Sequence, residues 1–133
     1  MSAAEHSLKA IERCLEWFNT LSPPGRGVRR EDIEQLFTAD MQMTINGEVR
    51  CEGLEALFRH FSNVGQRLRS WRVELPLRRA YCNGEDVAGY FPIHVVTPDE
   101  RPAVVHVAAL WKVREAKMAS TVEVSHVVLS PTS

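Results

Sequence analysis

VAGYFPIHVV (Val87–Val96), AVVHVAALWKV (Ala103–Val113) and TVEVSHVVL (Thr121–Leu129), with TPDERP and REAKMAS between them, form the stretch that decides the fold. β-Branched and aromatic residues crowd all three segments and turn formers fill the intervals, so the reading is three long strands joined by two hairpins. Strands of roughly ten residues joined antiparallel twist and curl, and a curled sheet needs helices over its concave face. The first half of the chain supplies those helices.

Upstream, Trp71, Val73, Leu75 and Leu77 alternate with Arg72 and Glu74, which predicts another strand over Ser70–Leu77, and Cys82-Asn83-Gly84-Glu85 is a turn into Val87. Before it, Leu54, Leu57, Phe58, Phe61 and Val64 share one helical stripe, predicting a helix from about Leu54 to Gln66. Asn46-Gly47 is a strong hairpin signal, joining a strand that buries Met41, Met43 and Ile45 to a return over Glu48–Glu52. A short helix, Glu31–Phe37, comes before that hairpin. The chain starts with a helix over Ala3–Leu21 whose apolar stripe is Ala4, Leu8, Ile11, Leu15 and Phe18, stopped by Ser22-Pro23-Pro24-Gly25. Helix, helix, hairpin, helix and four antiparallel strands make an α+β domain spanning residues 1–133: three N-terminal helices on a strongly curved, mainly antiparallel sheet. A cone closed by a helix retains a pocket between helix and sheet.

At 133 residues, the chain is large enough for one core and a small cavity within it. Sixteen basic against seventeen acidic residues leave no field that would recruit nucleic acid or an anionic bilayer, so neither is expected as a partner. Cys14, Cys51 and Cys82 are widely spaced without a CxxC pair, which argues against a disulfide framework or structural zinc and for a reducing cytosol. MSAAEHSLKAIERC lacks a signal peptide's apolar core and no run reaches membrane-spanning length, so a soluble, cytoplasmic protein is expected.

The order of elements, with LFTADMQMTING followed by CEGLEALFRHF, resembles the nuclear transport factor 2-like (NTF2-like) superfamily, in its SnoaL-like and ketosteroid-isomerase-like branch. The matching positions are Leu36, Phe37 and Asp40, then Gly53, Ala56, Leu57 and Phe61, with Cys51-Glu52 where the family has an arginine. The resemblance implies a cystatin-like cone and covers about Glu5 to Leu129. It carries little information on activity, because one fold hosts many chemistries. Steroid isomerases use a carboxylate base, a tyrosine and a protonated aspartic acid. Overlaying their motifs puts Ile45 at the base, Cys14 at the tyrosine and Ala109 at the aspartic acid, with Phe61 at a second tyrosine, so that chemistry is absent from those positions.

The same overlay turns Val105, Val107, Ala109, Trp111 and Val113 inward, together with Val122, Val124 and His126 and with Tyr90 and His94. His106 then points outward, so His94, His106 and His126 do not converge as metal ligands, and no metal or cofactor is expected. The resemblance thus implies a pocket for a small apolar ligand lined by Cys14, Trp17, Phe18, Met43, Phe58, Phe61, Ala109 and Trp111. His126 and His94 would move protons and Tyr90 would donate one, as in a cofactor-free isomerase, dehydratase or cyclase. The bland alternatives are core histidines satisfied by a hydrogen bond, an inert buried thiol at Cys14 and solvated His6 and His60. Outside, Val104, His106, Ala108, Leu110, Ser125, Val127 and Leu129 form a mildly apolar sheet face. Relatives dimerise through this face, which raises the rival expectation of a non-catalytic homodimeric interaction or association module.

Overall fold

The computed structural model describes residues 2–130. The chain runs α1 (Ala3–Thr20), α2 (Arg30–Leu36), β1 (Phe37–Ile45), β2 (Glu48–Glu52), α3 (Leu54–Ser62), α4 (Val64–Arg67), β3 (Ser70–Val73), β4 (Arg79–Asn83), β5 (Asp86–Val96), β6 (Pro102–Arg114) and β7 (Lys117–Leu129). Seven strands form one curved sheet in the order β2-β1-β7-β6-β5-β3, with β4 also beside β5. Every pair is antiparallel except β1 with β7, so the sheet is mixed and mostly antiparallel.

The expected α+β architecture is present, with local differences. The third helix breaks at Asn63 into α3 and α4. The strand expected over Ser70–Leu77 ends at Val73, before Pro76, and Arg79–Asn83 forms an additional strand along β5. Asn46 (φ 51°) and Gly47 (φ 84°) form the two-residue β1–β2 turn, as their left-handed tolerance requires.

Helix α1 opens with the Ser2 side chain accepting from the Glu5 N–H (3.1 Å). Its fully covered line is Ser7, Ala10, Ile11, Cys14 and Trp17, with Leu8, Leu15 and Phe18 flanking it, so the buried stripe is rotated from the one the large residues suggest. Polar contacts hold this helix to one side of the sheet. The Asn19 amide donates to the Val73 carbonyl (3.0 Å) and accepts from the Val73 N–H (2.7 Å), and the Trp71 indole donates to the Phe18 carbonyl (2.8 Å). A helix fixed there seals one side of the cone and leaves the other to β1, β2, α3 and α4.

Trp111 forms the back of the concavity, stacked on Phe91 with centroids 5.8 Å apart. Gly89 makes room for it: a Cβ there would lie 2.8 Å from the indole and 3.1 Å from the Arg79 carbonyl oxygen. Neither neighbour is a free chain end, so Gly89→Ala should destabilise the fold by about 1–3 kcal/mol, as overpacking does. Urea denaturation would measure it, and an unchanged midpoint would show that the indole swings aside.

Two β-bulges set which side chains face the interior. In β1–β2, Met43 pairs with Cys51 and Thr44 with Val49, leaving Arg50 as the extra residue. In β6–β7, Lys112 pairs with Ser120 and Val113 with Met118, leaving Ala119 as the extra residue. A one-residue slip exchanges the two faces of a strand. Met118 therefore points inward before the Ala119 bulge and Thr121, Glu123 and Ser125 point inward after it.

Candidate functional site

The concave side holds a cavity of about 380 Å³, lined by residues from α1, the α2–β1 junction, β2, α3 and α4 and by the inner faces of the long strands. Its walls are mainly apolar: Phe18, Phe37, Phe61, Phe91 and Trp111 give the aromatic surface, and Met43, Ile45, Val73, Val105, Val107 and Met118 the aliphatic. Exposed Asn46, Arg50 and Arg67 stand at its mouth, between the β1–β2 turn and the end of α4.

Of the residues expected to line it, Cys14, Phe18, Met43, Phe61 and Trp111 do so. Three do not. Trp17 is in the core, its ring edge-on to Phe61 (5.0 Å) and its indole donating to Asp32 (3.3 Å). Phe58 lies under the Arg30 guanidinium, 4.1 Å from its ring centroid. Ala109 is buried on the inner face directly across from Glu123, where its small side chain leaves room for the carboxyl.

The inward positions expected of His126, His94 and Tyr90 are corrected by the strand register. Val122, Val124 and His126 lie on the convex face, because the Ala119 bulge reverses the alternation that holds at Met118. His126 pairs across the strands with His106, and directly opposed residues share a face. Tyr90 and His94 stand opposite Ala108 and Val104 on that same convex side, while Val87, Phe91 and Val95 point in. The Tyr90 hydroxyl and ring engage His106, and His94 bonds to Glu74 (3.0 Å). The three strand histidines thus share one face rather than dividing between two, yet no cluster of three metal-ligating side chains occurs among the described residues.

Bringing Thr121, Glu123 and Ser125 to the cavity changes its chemistry. The Thr121 hydroxyl donates to one Glu123 carboxylate oxygen (2.8 Å), and none of the ion pairs among the described residues involves Glu123. Burial raises the Glu123 pKa, and the single hydroxyl bond only partly opposes it. One step toward the mouth, the Asn46 amide donates to the Ser125 hydroxyl oxygen (3.2 Å) and its carbonyl accepts from the Ser125 N–H (2.9 Å). Those bonds leave the Ser125 hydroxyl proton free to donate.

His60, read from the sequence as solvated, also lines the cavity. It is three residues after fully buried Leu57 and four before buried Val64, a helical spacing that foretells its inward position. Burial first, then the charges of Arg67 and Arg50, lower its pKa to about 4, so its imidazole is neutral at physiological pH. The Cys14 thiol donates weakly to the Leu36 carbonyl (3.5 Å) and burial pushes its pKa up to about 12, which makes it a wall atom rather than a nucleophile.

The cavity therefore joins an apolar enclosure to a carboxyl group biased toward protonation, a neutral imidazole, two hydroxyls and a cationic mouth. Such a set can hold a small organic molecule and exchange a proton with it.

No protein-family model matches the chain, and no curated protein matches it by sequence. Solved structures do match. An NTF2-like protein from Anabaena variabilis is 18% identical, with 99% of this chain and 95% of that one covered at a TM-score of 0.71. A putative SnoaL-like polyketide cyclase from Jannaschia sp. is 10% identical, covering 96% of this chain and 88% of that one at 0.72. An LEH-like epoxide hydrolase from M. tuberculosis is 12% identical, covering 94% and 86% at 0.69. Among the described residues, no helix is long and apolar enough to cross a membrane. With likeness this extensive at such low identity, what is shared is architecture, and the chain has the NTF2-like fold.

Proposed function

We propose that the cavity binds a small, largely apolar molecule and that Glu123 exchanges a proton with it in a cofactor-free isomerisation, dehydration or cyclisation. The observation that carries this reading is the unpaired Glu123 carboxyl on an apolar cavity wall, held through one oxygen by Thr121. A general acid or base works best with its pKa near the operating pH, and burial moves a carboxyl in that direction. The Thr121 bond fixes one carboxyl oxygen and leaves the other for substrate. The Ser125 hydroxyl and the neutral His60 ring supply donors for a developing oxyanion. Enzymes named as a cyclase and an epoxide hydrolase among the structural neighbours support a small-molecule site in this architecture.

The test is a ligand-observed NMR screen of ketones, enones and β-dicarbonyl compounds in deuterium oxide, which reports binding and deuterium uptake at carbon together. Uptake that depends on Glu123 supports the reading. A screen in which nothing binds in the cavity overturns it.

A second reading follows from the convex face. Leu110 (61% exposed), Val122 (45%) and Val124 (63%) form an apolar strip on neighbouring strands, beside Tyr90 and His106. It differs from the face read from the sequence, because the Ala119 bulge puts Val122 and Val124 there and turns Ser125, Val127 and Leu129 to the other side. A two-fold pairing of this strip would make the protein a homodimer, either as scaffold for the site or as a non-catalytic association module. Leu110→Asp combined with Val124→Asp should then turn a dimer into a folded monomer in light scattering. A parent that is monomeric at high micromolar concentration removes this reading.

A further inference from the structure

Resting on the cavity being a binding site, we propose that its ligand is an amphiphilic monoanion, with its apolar body against the aromatic walls and a carboxylate held at the mouth by Arg67 and Arg50. Arg50 is there because of the β1–β2 bulge: as the extra residue between the pairs of Met43 and Thr44, it breaks the alternation and joins the cavity lining. A bulge that aims a cation at an otherwise apolar opening is a feature with positional meaning. Arg67 reaches the same opening from α4, on the far side of the β1–β2 turn. Both guanidiniums act on His60, which places their charges around a common point.

Charge accounting selects a monoanion. Arg50 lies near Glu48 (3.5 Å), whereas Arg67 makes no ion pair or side-chain hydrogen bond among the described residues. The mouth carries about one uncompensated positive charge, which one carboxylate neutralises with charge-assisted hydrogen bonds. Polarity fixes the direction of entry. Glu123 lies inside, beyond Asn46 and Ser125, so an anionic head driven inward would meet another carboxyl, while an apolar tail meets Phe18, Phe91 and Trp111.

The probe is 2-naphthoate compared with its neutral methyl ester, titrated by calorimetry into the full chain and into Arg50→Gln/Arg67→Gln. The parent should bind the acid about tenfold or more tightly than the ester, with the preference shrinking in 0.5 M salt, and the double variant should bind both alike. Both arginines are exposed, so the double variant should fold, which circular dichroism checks. Equal affinity of acid and ester for the parent overturns the proposal, as does a preference that survives in the double variant. Either result leaves Glu123-dependent proton exchange intact, so failure of the ligand class is separable from failure of the site. If neither compound binds, the ligand class falls, and the deuterium-exchange screen decides the site by itself.

Discussion

Glu123→Gln should lower proton exchange with a bound carbon acid by about 10²–10⁴-fold while leaving ligand affinity within roughly a factor of three. Glutamine keeps the size and an acceptor for the Thr121 hydroxyl but cannot take a proton, so the loss is confined to chemistry. Thr121→Val should have a smaller effect, because it frees a carboxyl oxygen that burial still holds toward the protonated form. The same carboxyl burdens the fold. Its pKa is higher folded than unfolded, so the folded state holds the proton more firmly and stability falls as pH rises from the ordinary glutamate range through the raised value. Above that window, Glu123→Gln should be more stable than the parent, a gap that closes in acid. Urea titrations at pH 4.5 and pH 8 read the gap. A variant that keeps full exchange and shows no alkaline advantage would show that Glu123 is a satisfied surface carboxylate.

The inward position of Glu123 is not legible in the sequence. Alternation correctly places Glu123 and His126 on opposite faces of one strand, but it gives no absolute phase. Phase taken from the overlay on the steroid-isomerase motifs puts Val122, Val124 and His126 inside. The Ala119 bulge lies among small and polar residues, Ala119, Ser120 and Thr121, that show no break in pattern. The exposed valines belong to the convex strip, so their hydrophobicity gives no sign that they face outward. Arg50 is hidden for a similar reason, being itself the extra residue of the β1–β2 bulge. Long strands, the Asn46-Gly47 turn and the helix order depend on local propensity and were legible; face assignment beyond a bulge depends on pairing between distant segments. His60 was legible in principle, at helical spacing from Leu57 and Val64, but its polarity argued for solvent. Phe18, Phe61 and Trp111 were found because an apolar wall and an apolar core have the same signature.

Acid should destabilise the parent through His60 by roughly 2–3 kcal/mol between pH 7.5 and pH 4.5, relative to His60→Gln. The imidazole's pKa falls from 6.5 to about 4 on folding, so the unfolded chain binds the proton first and stability drops as pH descends through that interval. Burial is the larger cause and salt does not screen it; the Arg67 and Arg50 contributions are screened, so 0.5 M salt should recover only the smaller part. NMR titration of the His60 ring gives the folded value directly, and a value near 6.5 would return His60 to the solvated position read from the sequence. An anion held at the mouth by Arg50 and Arg67 would offset the charges that depress His60, so saturating 2-naphthoate should raise its pKa and reduce the acid-side loss. By reciprocity, protonating His60 tightens carboxylate binding by the same factor. The methyl ester, which brings no charge, should leave the ring's titration where it was.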